Sequence, residues 1–187
     1  MTAAFKLTSM DFRGVISQRF ARNFLPLPAL TKFQIGQTLP DFELPVAGQR
    51  ASLKLSNYHH KQVIVLVFTR IFTEKQYCPF CYPHILSMVE TYGQFEKMGA
   101  EVLMITSTDM RQSKVIQRDL NITMPLLVDP DCKIFRQYGT GQALGAPLPA
   151  QFVIDQSGKL TFQHLFSLAH TNASSERLLW AVHNANR

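Results

Sequence analysis

The spacing of apolar and polar positions changes several times along this chain, and each change marks an element. Val63-Ile64-Val65-Leu66-Val67-Phe68 is an unbroken apolar run of strand-forming residues, the pattern of a strand covered on both faces. Beyond it, Ile85, Leu86, Met88, Val89, Tyr92, Phe95 and Met98 recur along one face at helical spacing, which predicts a helix over 83–98. A strand over Glu101 to Thr106 leads to a helix near Asp109 to Leu120. A strand over Leu126 to Val128 leads to a short helix through Ile134, Phe135 and Tyr138, with Gly139 placed to cap it. Two more strands, Gln151 to Asp155 and Leu160 to Phe166, flank Gln156-Ser157-Gly158-Lys159, which has the composition of a tight hairpin turn. A last helix from about Ser174 to Asn184 offers Leu178, Leu179 and Val182 for packing. Upstream, Pro45, Gly48 and the alternation over Ala51 to Leu55 predict a small hairpin before the first core strand. Strands and helices that alternate and then close on a hairpin and a helix predict an α/β fold: a three-layer sandwich with a central mixed sheet flanked by helices.

Chemistry enters where the first core strand gives way to its helix, at Cys78-Pro79-Phe80-Cys81. Two thiols two residues apart at a helix N-terminus face unpaired backbone N–H groups and the positive end of the helix dipole, which favour a thiolate over a thiol. Their spacing also brings the sulfurs within reach of a disulfide. Pro83 leaves two arrangements open: a helix already running from Pro79 that kinks at Pro83, or a helix that starts there with both cysteines on the loop leading in. Arg70, at the end of the core strand, is the local cation suited to support a Cys78 thiolate, while Tyr77 and Phe80 flank the thiols and are candidates for shaping a partner groove. Their bland alternatives are a solvated strand-end charge and covers for the active-site turn. A metal site would need further ligands, and His84, His164 and His170 do not fall in a ligand pattern. Cys132 is read as a packed cysteine, with a distant resolving thiol as the alternative.

Composition narrows the setting. With 187 residues and 46% hydrophobic content the chain can build one well-cored domain and an extension, divided here as an N-terminal arm over 1–35 and a domain over 36–187. The net charge of +6 is scattered with no run of five like charges, so nucleic-acid binding is not expected. The longest apolar stretch is far short of the roughly 18 to 20 residues a membrane helix needs. Met1 to Leu30 carries Lys6, Arg13, Arg19 and Arg22 against Asp11 alone, a composition compatible with a presequence. The favoured reading is an amphipathic arm that packs Phe12, Val15, Ile16, Phe20 and Phe24 on its own domain or on a second subunit. Three cysteines, two of them in one Cys-x-x-Cys, fit a reducing compartment, taken as the cytoplasm. There, Asn121-Ile122-Thr123 and Asn172-Ala173-Ser174 match glycosylation acceptors by chance.

Taken in order, several segments resemble one family. They are Gly36-Gln-Thr-Leu-Pro40-Asp41-Phe42-Glu-Leu44, Val65-Leu66-Val67-Phe68, Ile105-Thr-Ser107-Thr108-Asp109, Leu126-Leu127-Val128-Asp129-Pro130-Asp131, Tyr138-Gly139 and Phe152-Val153-Ile154-Asp155-Gln-Ser-Gly158. Over roughly residues 36–166 the chain resembles the thioredoxin-fold superfamily, and within it the alkyl hydroperoxide reductase and thiol-specific antioxidant branch of peroxiredoxin-like proteins. The resemblance implies a thioredoxin-like sandwich, no cofactor, and peroxide chemistry at Cys78 with Cys81 resolving. It also implies a thioredoxin- or glutaredoxin-type reductant and allows a homodimer. Three positions depart from the family. Where it places a threonine three residues before the reactive cysteine and a proline seven before, this chain has Lys75 and Ile71, with Thr73 two residues early. Where an arginine precedes the segment matching Phe152 to Asp155, it has Pro149-Ala150-Gln151. Pro149 fits the cis-proline that thioredoxin-like disulfide reductases hold opposite their Cys-x-x-Cys, which keeps two alternatives in view: a disulfide oxidoreductase and a non-catalytic thioredoxin-fold scaffold.

Overall fold

In the structure, a computed structural model that describes residues 18–187, the unbroken apolar run becomes the middle of the sheet. The described residues open with α1 (Gln18–Arg22), the hairpin β1 (Glu43–Pro45) and β2 (Ser52–Lys54), and a 3-10 turn at Leu55–Tyr58. The core strand β3 (Val63–Thr69) is followed by a small hairpin, β4 (Ile71–Thr73) and β5 (Gln76–Tyr77), and then by α2 (Tyr82–Lys97). Next come β6 (Ala100–Thr106), α3 (Met110–Asp119), β7 (Leu126–Val128) and α4 (Lys133–Gln137). A second small hairpin, β8 (Gln142–Ala143) and β9 (Ala146–Pro147), precedes β10 (Ala150–Ile154), β11 (Leu160–Leu165) and α5 (Ser175–Ala185).

Five strands form the central sheet in the order β11-β10-β3-β6-β7. Strands β3, β6 and β7 run parallel, and β10 runs antiparallel to both β3 and β11, so the sheet is mixed as expected. All seven residues of β3 are buried, because helices or loops cover both of its faces. Its odd-numbered valines, Val63, Val65 and Val67, join Val102, Met104 and Val153 under α2, α3 and α5. The even positions, Ile64, Leu66 and Phe68, pack with Leu103, Ile105 and Phe152 under α4 and the β1–β2 hairpin. On that second face the Phe68 ring lies 5.0 Å from Phe135, 5.3 Å from Tyr138 and 5.8 Å from Phe152, pairs worth about 0.5–1.5 kcal/mol each beyond their burial.

The family-like segments acquire structural reasons. The Asp129 carboxylate accepts hydrogen bonds from the N–H groups of Lys133, Ile134 and Phe135 and so starts α4. Gly139, at a φ of +71°, takes the left-handed turn beyond that helix. Asp109 and Gln112 form a reciprocal capping box on α3. Behind it the hydroxyls of Thr106, Thr108 and Ser113 form a buried chain.

Phe12, Val15 and Ile16 lie outside the described residues. The described part of the arm lies against its own domain: Arg19 hydrogen-bonds to the Ile71 and Phe72 carbonyls and to Ser107, and Leu27 exchanges backbone hydrogen bonds with Gln142. Phe20 is half-buried and packs on Gly145, whereas Phe24 is exposed. No helix among the described residues is long and apolar enough to cross a membrane.

Candidate active site

Strand β3 ends at Thr69, and the next residue, Arg70, starts the path to the thiols. The β4–β5 hairpin turns the chain back so that Tyr77 delivers Cys78 to the start of α2. Cys81 is the N-cap of that helix, and the Cys81 and Tyr82 N–H groups both donate to the Cys78 carbonyl, at 3.0 and 2.9 Å. Pro83 falls at the second helical position, where its missing N–H would have had no partner, so the helix begins at the thiols and is not kinked.

Both sulfurs are free thiols and both cysteines are buried, Cys78 at 7% exposure and Cys81 at 1%. The Cys81 thiol donates a hydrogen bond to Cys78; with the N–H groups of Phe80 and Cys81 and the charge of Arg70, this brings Cys78 down to about 6 against the opposing effect of burial. Cys81 is pushed upward, first by that same hydrogen bond and then by burial. The two neighbouring sulfurs are thus shifted in opposite directions, Cys78 toward the thiolate and Cys81 toward the thiol.

Arg70 is 7% exposed, stacks over the Phe72 ring at 4.9 Å and donates from Nη2 to the Ala143 carbonyl at 2.6 Å. Its Nε is buried without a partner. Burial lowers the Arg70 pKa, and the charges of Cys78 and Cys81 oppose that. A guanidinium 7% exposed, stacked on Phe72 and bonded to Ala143, is not the solvated strand-end charge considered as its alternative.

The remaining candidates divide. Phe80 is 72% exposed on the rim of a groove of about 430 Å³, lined also by Pro83, His84, Ser87 and residues 169–176. Tyr77 turns away from that groove: its ring meets Tyr82 at 5.2 Å and its hydroxyl donates to the Glu74 carbonyl. Pro149 is buried between β9 and β10, and the expected cis bond is corrected, since no cis peptide occurs among the described residues. The physical reason is the path of the chain. Leu148 is bonded to Gly141 in continuation of the β8–β9 hairpin and Ala150 already pairs with Phe68, so the backbone passes through Pro149 without the reversal a cis bond makes, and trans is the intrinsically favoured isomer.

Two residues at the site escaped the sequence reading. Asn172 donates to the Phe80 carbonyl at 3.3 Å and approaches Cys81 Sγ at 3.9 Å. Gln151, fully buried in β10, donates to Asn172 Oδ1 at 2.9 Å and accepts from the Ala173 N–H. Gln151 carried a signal, an amide inside an otherwise apolar strand; Asn172 carried none beyond its chance glycosylation triplet. His84 is a half-buried imidazole, lowered to about 4 chiefly by burial, with its buried Nε2 unpartnered. No group of three His, Cys, Asp or Glu among the described residues is placed to hold a metal. Cys132 packs in the core on the sheet face opposite α2, accepts from Asn23 at 3.6 Å and is raised to about 11 by burial, which suits a packed cysteine.

Comparison with known proteins agrees with this geometry. The chain is 28% identical to the thiol-disulfide oxidoreductase ResA of Geobacillus thermodenitrificans over 132 residues, covering 70% of this chain and 68% of that protein. It is 27% identical to a peroxiredoxin of Thermoplasma volcanium over 155 residues, covering 79% and 72%. Among solved structures, the reduced 2-Cys peroxiredoxin of Plasmodium vivax superposes with a TM-score of 0.70 at 18% identity, over 80% of each chain. The peroxidoxin BcpB of Mycobacterium tuberculosis gives 0.69 at 21% identity, over 81% of this chain and 97% of that one. The oxidoreductase and the peroxiredoxin among these relatives support the enzyme reading over the scaffold alternative. Since residues 35–163 also match the AhpC/TSA family, the chain belongs to that family and is a thiol-dependent oxidoreductase with a peroxiredoxin-like thioredoxin fold.

Proposed function

We propose that the protein reduces peroxides through a Cys78–Cys81 couple. The Cys78 thiolate attacks the distal peroxide oxygen; the O–O bond breaks, the alkoxide or hydroxide leaves and takes up a proton, and Cys78 becomes a sulfenic acid. The Cys81 sulfur then attacks Cys78 Sγ, water leaves, and a disulfide joins the two. A dithiol of the thioredoxin or glutaredoxin type returns both thiols to the reduced state in a reducing compartment such as the cytoplasm. The observation that carries this reading is the pair of free thiols at the N-terminus of α2, with Cys81 as the N-cap and its N–H bonded to the Cys78 carbonyl at 3.0 Å. Arg70 supports the thiolate, and its unpartnered Nε leaves a donor for an incoming oxygen.

A second reading, exchange with protein disulfides, is favoured by a separate observation. Phe80 stands exposed on a groove beside the thiols, while Gln151, next to the place where the family carries an arginine, is occupied by Asn172 and Ala173. Stopped-flow mixing of reduced protein with hydrogen peroxide or cumene hydroperoxide separates the two. Rapid loss of the Cys78 thiolate with formation of the Cys78–Cys81 disulfide is expected. Thiolate that persists under peroxide, together with rapid reduction of insulin disulfides, would replace the peroxidase reading with the exchange reading.

A further inference from the structure

We propose that the N-terminal arm, residues 18–27, is a positioning element for Arg70, holding the guanidinium from both of its ends and thereby setting the reactivity of Cys78. The inference rests on the role assigned to Arg70 above. One hold acts on the backbone just after Arg70. Arg19, itself half-buried, donates to the carbonyls of Ile71 and Phe72, and Phe72 is the residue whose ring lies under the Arg70 guanidinium. A third bond, to Ser107 Oγ at 2.8 Å, ties the Arg19 side chain to the loop after β6.

The other hold acts on the far end of the Arg70 side chain. Arg70 Nη2 is received by the Ala143 carbonyl, and Ala143 belongs to the β8–β9 hairpin, whose pairing extends over only Gln142↔Pro147 and Ala143↔Ala146. So short a hairpin has little stability of its own. The arm fixes it on either side of Ala143: Gln142 exchanges backbone bonds with Leu27 at 2.8 and 2.9 Å, Leu144 donates to Phe24 at 3.1 Å, and Gly145 donates to Asn23 at 3.0 Å. The Gln142 side chain reaches back to the Arg22 and Leu25 carbonyls. At Gly145, with a φ of +84°, the Phe20 ring occupies the space a Cβ would need, 2.0 Å from its position. The arm thus controls both the acceptor and the stacking partner of a buried cation whose charge acts on the reactive sulfur.

The test uses full-length chains carrying Arg19→Ala, Gln142→Ala, Arg70→Gln, and Arg70→Gln combined with each of the first two. The readout is the pH dependence of Cys78 alkylation by iodoacetamide, followed at the Cys78 peptide by mass spectrometry, with circular dichroism to establish folding. Arg70→Gln is expected to raise the midpoint enough to lower the thiolate fraction at pH 6 by about twofold to fivefold. Arg19→Ala and Gln142→Ala should each move the midpoint in the same direction, and neither should add to Arg70→Gln. If one of the two arm variants fails to fold, the other decides. A midpoint moved by Arg70→Gln but by neither arm variant, or effects that sum in the combinations, would overturn the positioning role and leave Arg70's own role standing. A midpoint that ignores Arg70→Gln removes the role of Arg70 itself, and the inference with it.

Discussion

Replacing Cys81 with alanine removes the largest single influence on Cys78, the hydrogen bond from the neighbouring thiol, and leaves the Phe80 N–H and Arg70 in place. With a midpoint of about 6, Cys78 is roughly nine-tenths thiolate at pH 7, against a few per cent for an ordinary thiol near 8.5. Because the lost bond is the leading one of several, we expect the Cys81→Ala midpoint to rise by at least about one pH unit, so that the thiolate fraction at pH 7 falls to about one half. A more basic thiolate is also intrinsically more nucleophilic, with a Brønsted slope of about 0.4–0.5, so the alkylation rate at its high-pH plateau should rise by about threefold. At pH 7 the gain in nucleophilicity slightly outweighs the lost thiolate, and the two profiles cross near pH 6.5: the variant should react more slowly than the parent at pH 6 and about threefold faster at pH 9. Iodoacetamide rates across pH 5–10, read at the Cys78 peptide, provide the assay. Profiles that share a midpoint near 6 and do not cross would refute the reasoning, because they would place the acidity in the backbone N–H groups and Arg70 alone.

Three further outcomes are expected. Cys78→Ser should abolish peroxide turnover, while Cys81→Ser should stop after one equivalent with a sulfenic acid that dimedone traps; equal residual turnover in both would contradict the assigned order of attack. His84 is held neutral with a lowered midpoint of about 4 against the usual 6.5, so it binds a proton in the unfolded chain before it does in the folded one. Its contribution to stability is therefore lost as pH falls from about 6.5 to 4, and His84→Leu should flatten that part of a plot of Tm against pH. Gly141 has a φ of +75°, and a Cβ there would lie 2.6 Å from the Ala29 nitrogen and 2.7 Å from the Leu27 carbonyl oxygen. Gly141→Ala should cost at least the roughly 1–2 kcal/mol of a left-handed alanine, measured by urea unfolding, and should loosen the arm.

Much of the fold was legible because its signals are repetitive. The run from Val63 to Phe68 could only be a strand covered on both sides, and the strand at Leu126–Val128 and the turn at Gly158 fall where their composition placed them. The placement of Cys78 and Cys81 at the start of α2 was legible because spacing and position, not any single residue, carried the signal. What escaped has the opposite character. The β4–β5 and β8–β9 hairpins have strands of only two or three residues, too short for a period to show. Asn172 meets Cys81 across 91 positions of chain and Arg19 meets Ile71 across 52; such contacts exist only once the sheet has ordered its strands. Pro149 was misread for a related reason. Proximity to a Cys-x-x-Cys in the fold says where a proline sits but not which isomer the surrounding hydrogen bonds require.

The hydrogen bond between the two sulfurs exists in only one redox form. When the disulfide closes, Cys81 has no proton to give and Cys78 has no charge to receive it, so that part of the stabilisation of Cys78 belongs to the dithiol. A couple whose reduced partner is favoured in this way lies toward the oxidising end of thiol potentials and draws electrons readily from other dithiols. In the reverse sense, a stabilised Cys78 thiolate is a good leaving group, so the sulfur that attacks first is also the one most easily expelled when a donor opens the bridge at Cys81. On the proposed couple, Cys78 thus serves as the attacking group in one half of the cycle and as the leaving group in the other.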